Sequence, residues 1–242
     1  MGAWEQKVIT KTDHVITFSE ANKEVLRDTY GVPESDLTVF AIPASIPKQA
    51  VPEDIQIARD FDQVRLLLVG RDYHRKGVDI AVKIVEGLNQ QDIQAELRIV
   101  GLDGKNSEFV KFMGLYDKTD PLELEDYVDN YRWAHFLLHP ARFEAAGIVP
   151  SEAAAFGVPT LTNNSGGLAT TVADGVSGRV FPEGSPSYVY IQEIKRLIKD
   201  QDLYYALAKS TKNRYQEELN WQVAGKKVAQ IARELAAKER ES

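Results

Sequence analysis

Short apolar runs alternate with amphipathic segments along most of the chain. VRLLLVG (64–70) is almost entirely apolar and ends in glycine, a pattern typical of a parallel strand buried on both faces. GVDIAVKIVEGLNQ (77–90) places its polar residues at helical spacing on one face, which predicts a helix packed on a sheet. Further strands are predicted at 13–19, 36–42, 95–101, 134–139 and 158–163, and further helices at 20–31, 122–131, 150–157, 187–200, 203–218 and 221–238.

This alternation predicts the fold class, a doubly wound, Rossmann-like parallel α/β sheet. Ligands bind to such sheets beyond the carboxyl ends of the strands. The loops that follow residues 70, 101, 139 and 163 are therefore expected to line one ligand edge. Residues 43–54 carry three prolines and no periodicity, which indicates a linker.

Composition narrows the classes of function. With 43% hydrophobic and 27% charged residues among 242, the chain has the composition of an ordinary globular protein. Its net charge of −7 argues against nucleic acid as a partner. The lack of cysteine excludes disulfides, thiolate catalysis and cysteine-ligated metals. No apolar run approaches the ~20 residues of a membrane span and MGAWEQKVIT has no signal-peptide core, so we expect a cytoplasmic protein.

The loop after residue 70, RDYHRKG, is strongly basic. Arg71, Arg75 and Lys76 place positive charge at the end of a strand, and the next helix is expected to add free N–H groups at its N-terminus. Phosphate is the natural ligand of such a site, although this loop alone fits a solvated basic turn equally well. The motif GxxxxGK[ST] is absent and no GxGxxG follows a strand, so neither a P-loop nor a dinucleotide site is predicted.

Two glutamates stand in an apolar stretch, HPARFEAAGIVPSEAAAFGVP (139–159). Glu144 is predicted to lie in the loop and Glu152 in the first turn of the next helix. Taken singly, Glu144 fits an exposed loop acid and Glu152 fits a carboxylate that offsets the helix dipole. Because both lie on the ligand edge with a basic loop, we interpret them together as hydroxyl acceptors for a polyol whose phosphates that loop holds.

Other residues on this edge carry weaker signals. Gly166 and Gly167 would allow a ligand to approach the backbone closely, although a plain tight turn explains them equally well. His74 and His139 fall on the ligand edge and are further candidates to touch a ligand, whereas His135 is predicted to be core. The histidines have no metal-ligand spacing, and no metal site is predicted.

In order along the chain, these motifs resemble the donor-binding half of a GT-B glycosyltransferase, of the retaining, nucleotide-sugar-dependent type called family 4 or group 1. The signatures of that family are G-R-x4-K-G, E-x7-E, G-x-P and G-G-x5-8-D-G-x2-G. The likeness covers roughly residues 64–235. The matching residues are Gly70-Arg71 with Lys76-Gly77, Glu144 with Glu152, Gly157-Val158-Pro159, and Gly166-Gly167 with Asp174-Gly175 and Gly178.

The resemblance implies a role for each residue. Arg71, Lys76 and Glu144 would be the catalytic groups, the first two binding the diphosphate of a UDP-, GDP- or ADP-sugar and Glu144 holding sugar hydroxyls. Glu152 would accept hydrogen bonds from the ribose hydroxyls. The nucleotide sugar is a substrate, and no metal or other cofactor is expected. The rest of the donor site would be formed by Gly70, Ala145, Ala146, Gly147, Ile148, Gly166 and Gly167.

The resemblance also divides the chain. Residues 1–45 resemble the end of the N-terminal acceptor domain, 46–63 a linker, 64–235 the donor domain with its C-terminal helices, and 236–242 a tail. A complete GT-B enzyme has its active site between two domains. This chain alone is therefore expected to bind the donor but to transfer little or no sugar without the N-terminal domain or a partner chain that supplies it.

We therefore predict the donor half of a retaining hexosyltransferase that acts on a glycan, a lipid or a small molecule. The alternative is a nucleotide-sugar-binding module that works only with a separate partner chain. A GT-B epimerase or phosphorylase fits the E-x7-E spacing less well. The HPA–EAAGIV stretch resembles enzymes that glucosylate lipopolysaccharide cores, which favours cell-envelope polysaccharide biosynthesis and peripheral association with membrane-bound acceptors.

Overall fold

The computed structural model describes residues 3–9, 11–53 and 60–241. Helices and strands alternate over most of this length, as predicted. In chain order they are α1 (Ala3–Ile9), β1 (Val15–Thr17), α2 (Glu20–Tyr30), β2 (Leu37–Val39), β3 (Val64–Val69), α3 (Val78–Asn89), β4 (Ala95–Val100), β5 (Val110–Phe112), α4 (Pro121–Trp133), β6 (Phe136–His139), α5 (Ile148–Ala155), β7 (Thr160–Asn163), α6 (Leu168–Thr171), β8 (Gly178–Phe181), α7 (Ser187–Lys199), α8 (Gln201–Glu217) and α9 (Trp221–Glu241).

Strands β3 to β8 form one six-stranded parallel sheet in the order β5–β4–β3–β6–β7–β8. From β3 the chain moves outward through β4 and β5, then returns to place β6 on the other side of β3. Leu66 of β3 lies opposite Phe136 of β6. This reversal confirms the predicted doubly wound sheet, and sheets of this kind bind ligands beyond the carboxyl ends of the strands at the reversal, here β3 and β6.

Two hydrophobic layers cover the two faces of the sheet. On β3, Leu66 and Leu68 belong to the layer that includes α3 and α7, whereas Leu67 and Val69 belong to the layer that includes α4 and α5. Successive side chains of a strand point to opposite faces, so a strand covered on both sides needs apolar residues at nearly every position. This is why β3 reads as an unbroken apolar run.

The N-terminal part of the chain forms a small unit in which β1 and β2 make a two-stranded parallel sheet. Gly31 ends α2 in the left-handed conformation, with φ of 69°, as expected for a helix closed by glycine. Hydrogen bonds join this unit to the larger one: Ser151 Oγ donates to the Ile42 carbonyl at 2.6 Å, the Ala44 N–H donates to the Leu219 carbonyl at 3.0 Å, and the Glu20 N–H donates to Thr170 Oγ1 at 3.0 Å. The division into domains stays a prediction.

Some elements differ from the prediction. The sequence pattern predicts neither α1 nor β5, and β5 has three residues of which only Val110 is buried, too few to show a period. Both predicted linkers, 43–54 and 46–63, contain a short 3-10 turn at Lys48–Ala50, and residues 54–59 lie outside the described residues. None of the described helices is both long and apolar enough to span a membrane.

Candidate ligand site at the carboxyl edge of the sheet

The loops that follow β3 and β6 lie side by side where the strand order reverses. The backbone N–H of Arg142 donates to the Arg75 carbonyl at 2.8 Å. The Arg142 guanidinium donates to both carboxylate oxygens of Asp79, each at 2.8 Å, and to the His74 carbonyl at 2.6 Å. A bidentate pair of this kind holds orientation as well as charge. Arg142 therefore fastens the two loops together.

Gly70 and Gly77 shape the first of these loops around Lys76. A Cβ on Gly70 would lie 2.5 Å from Lys76 Cγ, and a Cβ on Gly77 would lie 2.1 Å from the Pro140 carbonyl oxygen. Gly77 also has a φ of 69°, a conformation that favours glycine. Gly70 thus leaves room for the Lys76 stem at the end of β3, where only 8% of the residue is exposed, and Gly77 lets the loop pass close to Pro140.

Glu144, in the loop after β6, points back at the basic loop. Its Oε2 pairs with the Lys76 ammonium and lies 3.2 Å from Arg75 Nη1 and 3.4 Å from His139 Nε2. Burial raises the pKa of Glu144, but the contacts with His139 and Lys76 outweigh burial and lower the pKa to about 2. Glu144 is therefore a carboxylate at neutral pH. The structure brings Glu144 together with Arg75 and Lys76, two of the three cations that the sequence predicts on this edge.

The histidines of this region occupy different environments. His139 is fully buried at the end of β6, and burial lowers its pKa, so its imidazole is neutral at pH 7. Apart from the 3.4 Å approach to Glu144, its Nε2 has no polar partner among the described residues. His74 is exposed. A ligand contact by either histidine stays a prediction, whereas His135 is buried, as predicted.

The N-terminus of α5 faces this loop pair with unpaired backbone donors. Gly147 precedes the helix with a φ of 77°. Orphan N–H groups at a helix N-terminus carry partial positive charge and suit oxygen-rich ligands. Within the part of the chain that the structure describes, no hydrogen bond is donated by the backbone N–H groups of Ala145, Ala146, Gly147 and Ile148.

The prediction of free N–H groups at the start of α3 is wrong for Val78, Ile80 and Ala81, whose N–H groups donate to the carbonyls of Tyr73 and Gly77. The turn that leads into α3 closes on itself, because its N–H groups donate to carbonyls of the same turn. At this edge the first loop contributes positive charge through side chains, and the N-terminus of α5 contributes unpaired backbone donors. The hydrogen bonds within the turn measure 3.0 to 3.1 Å and run from the N–H groups of Lys76, Gly77 and Val78 to the carbonyls of Asp72, His74 and Tyr73, respectively.

Gly166 and Gly167 pack against the backbone that carries Glu144. A Cβ on Gly166 would lie 2.2 Å from the Glu144 carbonyl oxygen, and a Cβ on Gly167 would lie 2.2 Å from the Ala145 carbonyl oxygen. The Gly167 N–H donates to the Glu144 carbonyl at 2.9 Å. The pair thus supports the Glu144 loop, and direct contact of either glycine with a ligand stays a prediction.

The placement of Glu152 in the first turn of a helix is wrong. Because α5 begins at Ile148, two residues earlier than predicted, Glu152 falls in the second turn, and only 1% of it is exposed. Its Oε2 accepts hydrogen bonds from the hydroxyls of Tyr127 at 2.6 Å and Tyr131 at 2.8 Å. Its Oε1 pairs with Lys118 Nζ at 3.1 Å. Glu152 is a buried carboxylate with internal partners, and an offset of the helix dipole does not explain it.

Arg71 follows β3 directly and is exposed. It forms no ion pair or hydrogen bond with any described residue. An unpaired guanidinium offers a fork of N–H donors that matches phosphate and carboxylate groups. In the described ranges, no cluster of three or more His, Asp or Glu side chains could hold a metal ion.

Comparisons with known proteins identify the family to which this chain belongs. The family model described as "Glycosyl transferases group 1" matches residues 53–214, more than half of the chain. The chain belongs to this family. A D-inositol 3-phosphate glycosyltransferase from Nocardiopsis dassonvillei is 27% identical over 217 residues, which cover 81% of this chain and 50% of that protein. The chain thus spans about half the length of the curated relatives it matches.

Solved structures show the same fold. A sucrose-phosphate synthase from Thermosynechococcus elongatus is 22% identical, with a TM-score of 0.70, over 97% of this chain and 61% of that one. Anabaena Alr3699/HepE in complex with UDP and glucose is 16% identical, with a TM-score of 0.67, over 94% of this chain and 67% of that one. The predicted Rossmann-like, GT-B architecture is confirmed.

The ion pairs of Glu144 predict a dependence of stability on pH. Its pKa is about 2 in the folded protein and near 4.5 when unperturbed, so its stabilising contribution is complete above pH 4.5 and is lost as the pH falls towards 2. Between pH 6 and pH 3, the unfolding free energy of wild type should drop relative to Glu144→Gln by roughly 2 kcal/mol. Urea denaturation of both proteins measures this difference. Parallel pH profiles for wild type and Glu144→Gln would contradict the assigned ion pairs.

Proposed function

We propose that this chain is the donor half of a retaining glycosyltransferase and binds a nucleoside-diphosphate sugar at the carboxyl edge of its six-stranded sheet. The observation that carries the proposal is the meeting of Lys76 and Glu144 at the reversal of the sheet, beside the unpaired N–H groups that begin α5. Doubly wound sheets bind ligands at this reversal. Membership of a glycosyltransferase family supports sugar transfer as the reaction.

We assign the diphosphate to Arg71 and Lys76, next to Gly70. Arg71 is unpaired among the described residues, so it can reach a phosphate without first leaving a carboxylate. Lys76 pairs with Glu144 through one N–H and keeps further N–H donors for a phosphate oxygen. Negative charge builds on the diphosphate as the bond to the sugar breaks, so fixed cations at this position stabilise the departing nucleotide.

We assign the transferred sugar to Glu144 and the backbone N–H groups of residues 145–148. A sugar hydroxyl both donates and accepts hydrogen bonds, so it can pair with the Glu144 carboxylate and with a neighbouring N–H at once. His139 lies 3.4 Å from the same carboxylate oxygen and is available to a further hydroxyl. Gly166 and Gly167 keep the loop backbone in place.

We assign the ribose to Glu152, whose Oε1 is the oxygen that its tyrosine partners leave open. Glu144 and Glu152 lie on one loop and the helix that follows it, so sugar and ribose can be bound by the same continuous segment. The structure of Anabaena Alr3699/HepE holds UDP and glucose, which supports a uridine nucleotide as the first donor to test.

We assign the acceptor, whether glycan, lipid or small molecule, to a second domain. In the described residues β1 and β2 pair only with each other, so each leaves one backbone edge open to a further strand. The relative from Nocardiopsis dassonvillei is matched over 50% of its length. These observations support residues 1–45 as part of an acceptor domain. The alternative is a nucleotide-sugar-binding module whose acceptor half is a separate chain.

Removal of the Arg71 charge should weaken nucleotide binding. Losing a hydrogen bond to a charged group typically costs 1.5–3 kcal/mol, so Arg71→Ala should raise the Kd for UDP by about tenfold or more. Calorimetric titration with UDP, GDP and ADP measures this. Arg196→Ala, which removes an arginine paired with Glu193 on α7, is the matched control and should bind as wild type does. The assignment is wrong if no nucleotide binds, or if Arg71→Ala binds as tightly as wild type.

The two glutamates should separate nucleotide from sugar. Because Glu152 is assigned to the ribose, Glu152→Ala should weaken binding of UDP itself. Glu144→Ala should leave UDP binding within about threefold and weaken UDP-glucose by about tenfold, since its lost contacts are to the sugar. The same titrations, with thermal unfolding as a check on folding, measure both effects. The reverse pattern would exchange the roles of the two residues.

Sugar transfer should require the second half of the active site. The chain alone, given UDP-glucose and a mixture of glycan acceptors, should release UDP no faster than the donor hydrolyses in buffer. Addition of a candidate N-terminal domain as a separate chain should restore transfer if the alternative reading holds. Efficient transfer by this chain alone would show that the acceptor machinery lies within it.

A further inference from the structure

Glu152 is held from the protein side by two tyrosines of one helix. Tyr127 and Tyr131 are four residues apart on α4, a spacing that puts side chains on the same helix face. Their hydroxyl oxygens lie 2.6 Å and 2.8 Å from the same oxygen of Glu152, Oε2, and 2.9 Å from each other. Both rings are buried, and Tyr131 also stacks on Phe156 with centroids 5.5 Å apart.

These hydroxyls are permanent donors. Burial raises the pKa of Tyr127 and Tyr131 well above the usual value, so neither ionises in the physiological range. Two hydroxyl protons on one carboxylate oxygen occupy both of its lone pairs. The hydrogen-bonding capacity of Glu152 Oε2 is therefore used within the protein. The two hydrogen bonds from α4 also fix the orientation of the carboxylate.

The other oxygen, Oε1, has a partner of a different kind. Lys118 lies in the connection between β5 and α4, its side chain is 37% exposed, and its Nζ contacts Oε1 at 3.1 Å and the Ser45 carbonyl at 3.2 Å. A lysine stem has four rotatable bonds and a strongly hydrated head, so this partner can turn away into solvent. The buried tyrosines cannot. A ligand that reaches Glu152 would therefore compete for Oε1 and leave Oε2 unchanged.

We propose that Tyr127 and Tyr131 are positioning residues for ribose recognition: they hold Oε2 so that Oε1 of Glu152 accepts a hydrogen bond from a ribose hydroxyl, and Lys118 occupies that place in the free protein. This inference rests on the proposed function, because it takes the ligand to be a nucleotide. It adds that the discrimination of ribose from deoxyribose depends on two hydroxyls that never touch the ligand.

The test compares ribonucleotides with their deoxy forms. The probe is whichever of UDP, GDP and ADP binds wild type, together with its 2′-deoxy and 3′-deoxy analogues, and calorimetry gives the ratio of Kd for each analogue to Kd for the ribonucleotide. In wild type at least one ratio should be about tenfold or more, the effect of one lost hydrogen bond to a charged group. Tyr127→Phe with Tyr131→Phe keeps both rings and should bring that ratio below about threefold.

Matched variants separate positioning from packing. Tyr190→Phe removes another buried hydroxyl, on α7, that has no partner among the described residues, and it should keep the wild-type ratio. The single variants should give intermediate ratios, and they supply the answer if the double variant does not fold.

Two results would overturn the inference: a wild type that does not distinguish ribose from deoxyribose, or tyrosine variants that keep the wild-type ratio while binding all nucleotides more weakly. A wild type that binds no nucleotide at all would instead defeat the proposed function itself. Titration with the ribonucleotides alone would reveal an absence of binding, so failure of the proposed function can be distinguished from failure of the positioning role.

Discussion

The ion pair between Lys76 and Glu144 is the interaction on which the candidate site depends. It joins the loop after β3 to the loop after β6, and these strands are neighbours only because the strand order reverses between them. An ion pair that is mostly removed from water is stable only with further hydrogen bonds and good geometry. Both are present, since Glu144 also lies near Arg75 and His139, and Gly70 leaves room for the Lys76 stem.

The two glutamates of the apolar stretch are buried to different degrees and by different means. Glu144 is partly open and neutralised by cations, so it suits exchange with a ligand. Glu152 is buried and forms an ion pair with one exposed lysine, and two tyrosine hydroxyls fix its orientation. The segment between them contains the left-handed turn at Gly147 and the unpaired backbone N–H groups at the start of α5.

Much of this architecture could be predicted because its causes are local. The continuous apolar run of β3 follows from burial on both faces, and Gly31 marks the end of α2 by a conformation that favours glycine. The meeting of Lys76 with Glu144 could be anticipated from strand order and family motifs. The roles of the site residues in binding stay predictions.

The remainder depends on contacts between distant segments. In the sequence, Asp79 is recognisable only as part of the polar face of α3, and no sequence pattern indicates its pairing with Arg142. Tyr127 and Tyr131 have helical spacing, a signal for a shared face, but the sequence does not show that this face meets Glu152. The predicted start of α5 is two residues late because Pro150 resembles a first helical residue, whereas the helix begins at Ile148, directly after the left-handed Gly147.

A crystal structure of this chain grown with saturating UDP would show whether the nucleotide binds at the edge between β3 and β6. We expect the diphosphate within hydrogen-bonding distance of Arg71 and Lys76, and the ribose hydroxyls against Glu152 in place of Lys118. Density for UDP elsewhere on the protein, or an edge between β3 and β6 that stays unchanged and without nucleotide at saturation, would contradict it.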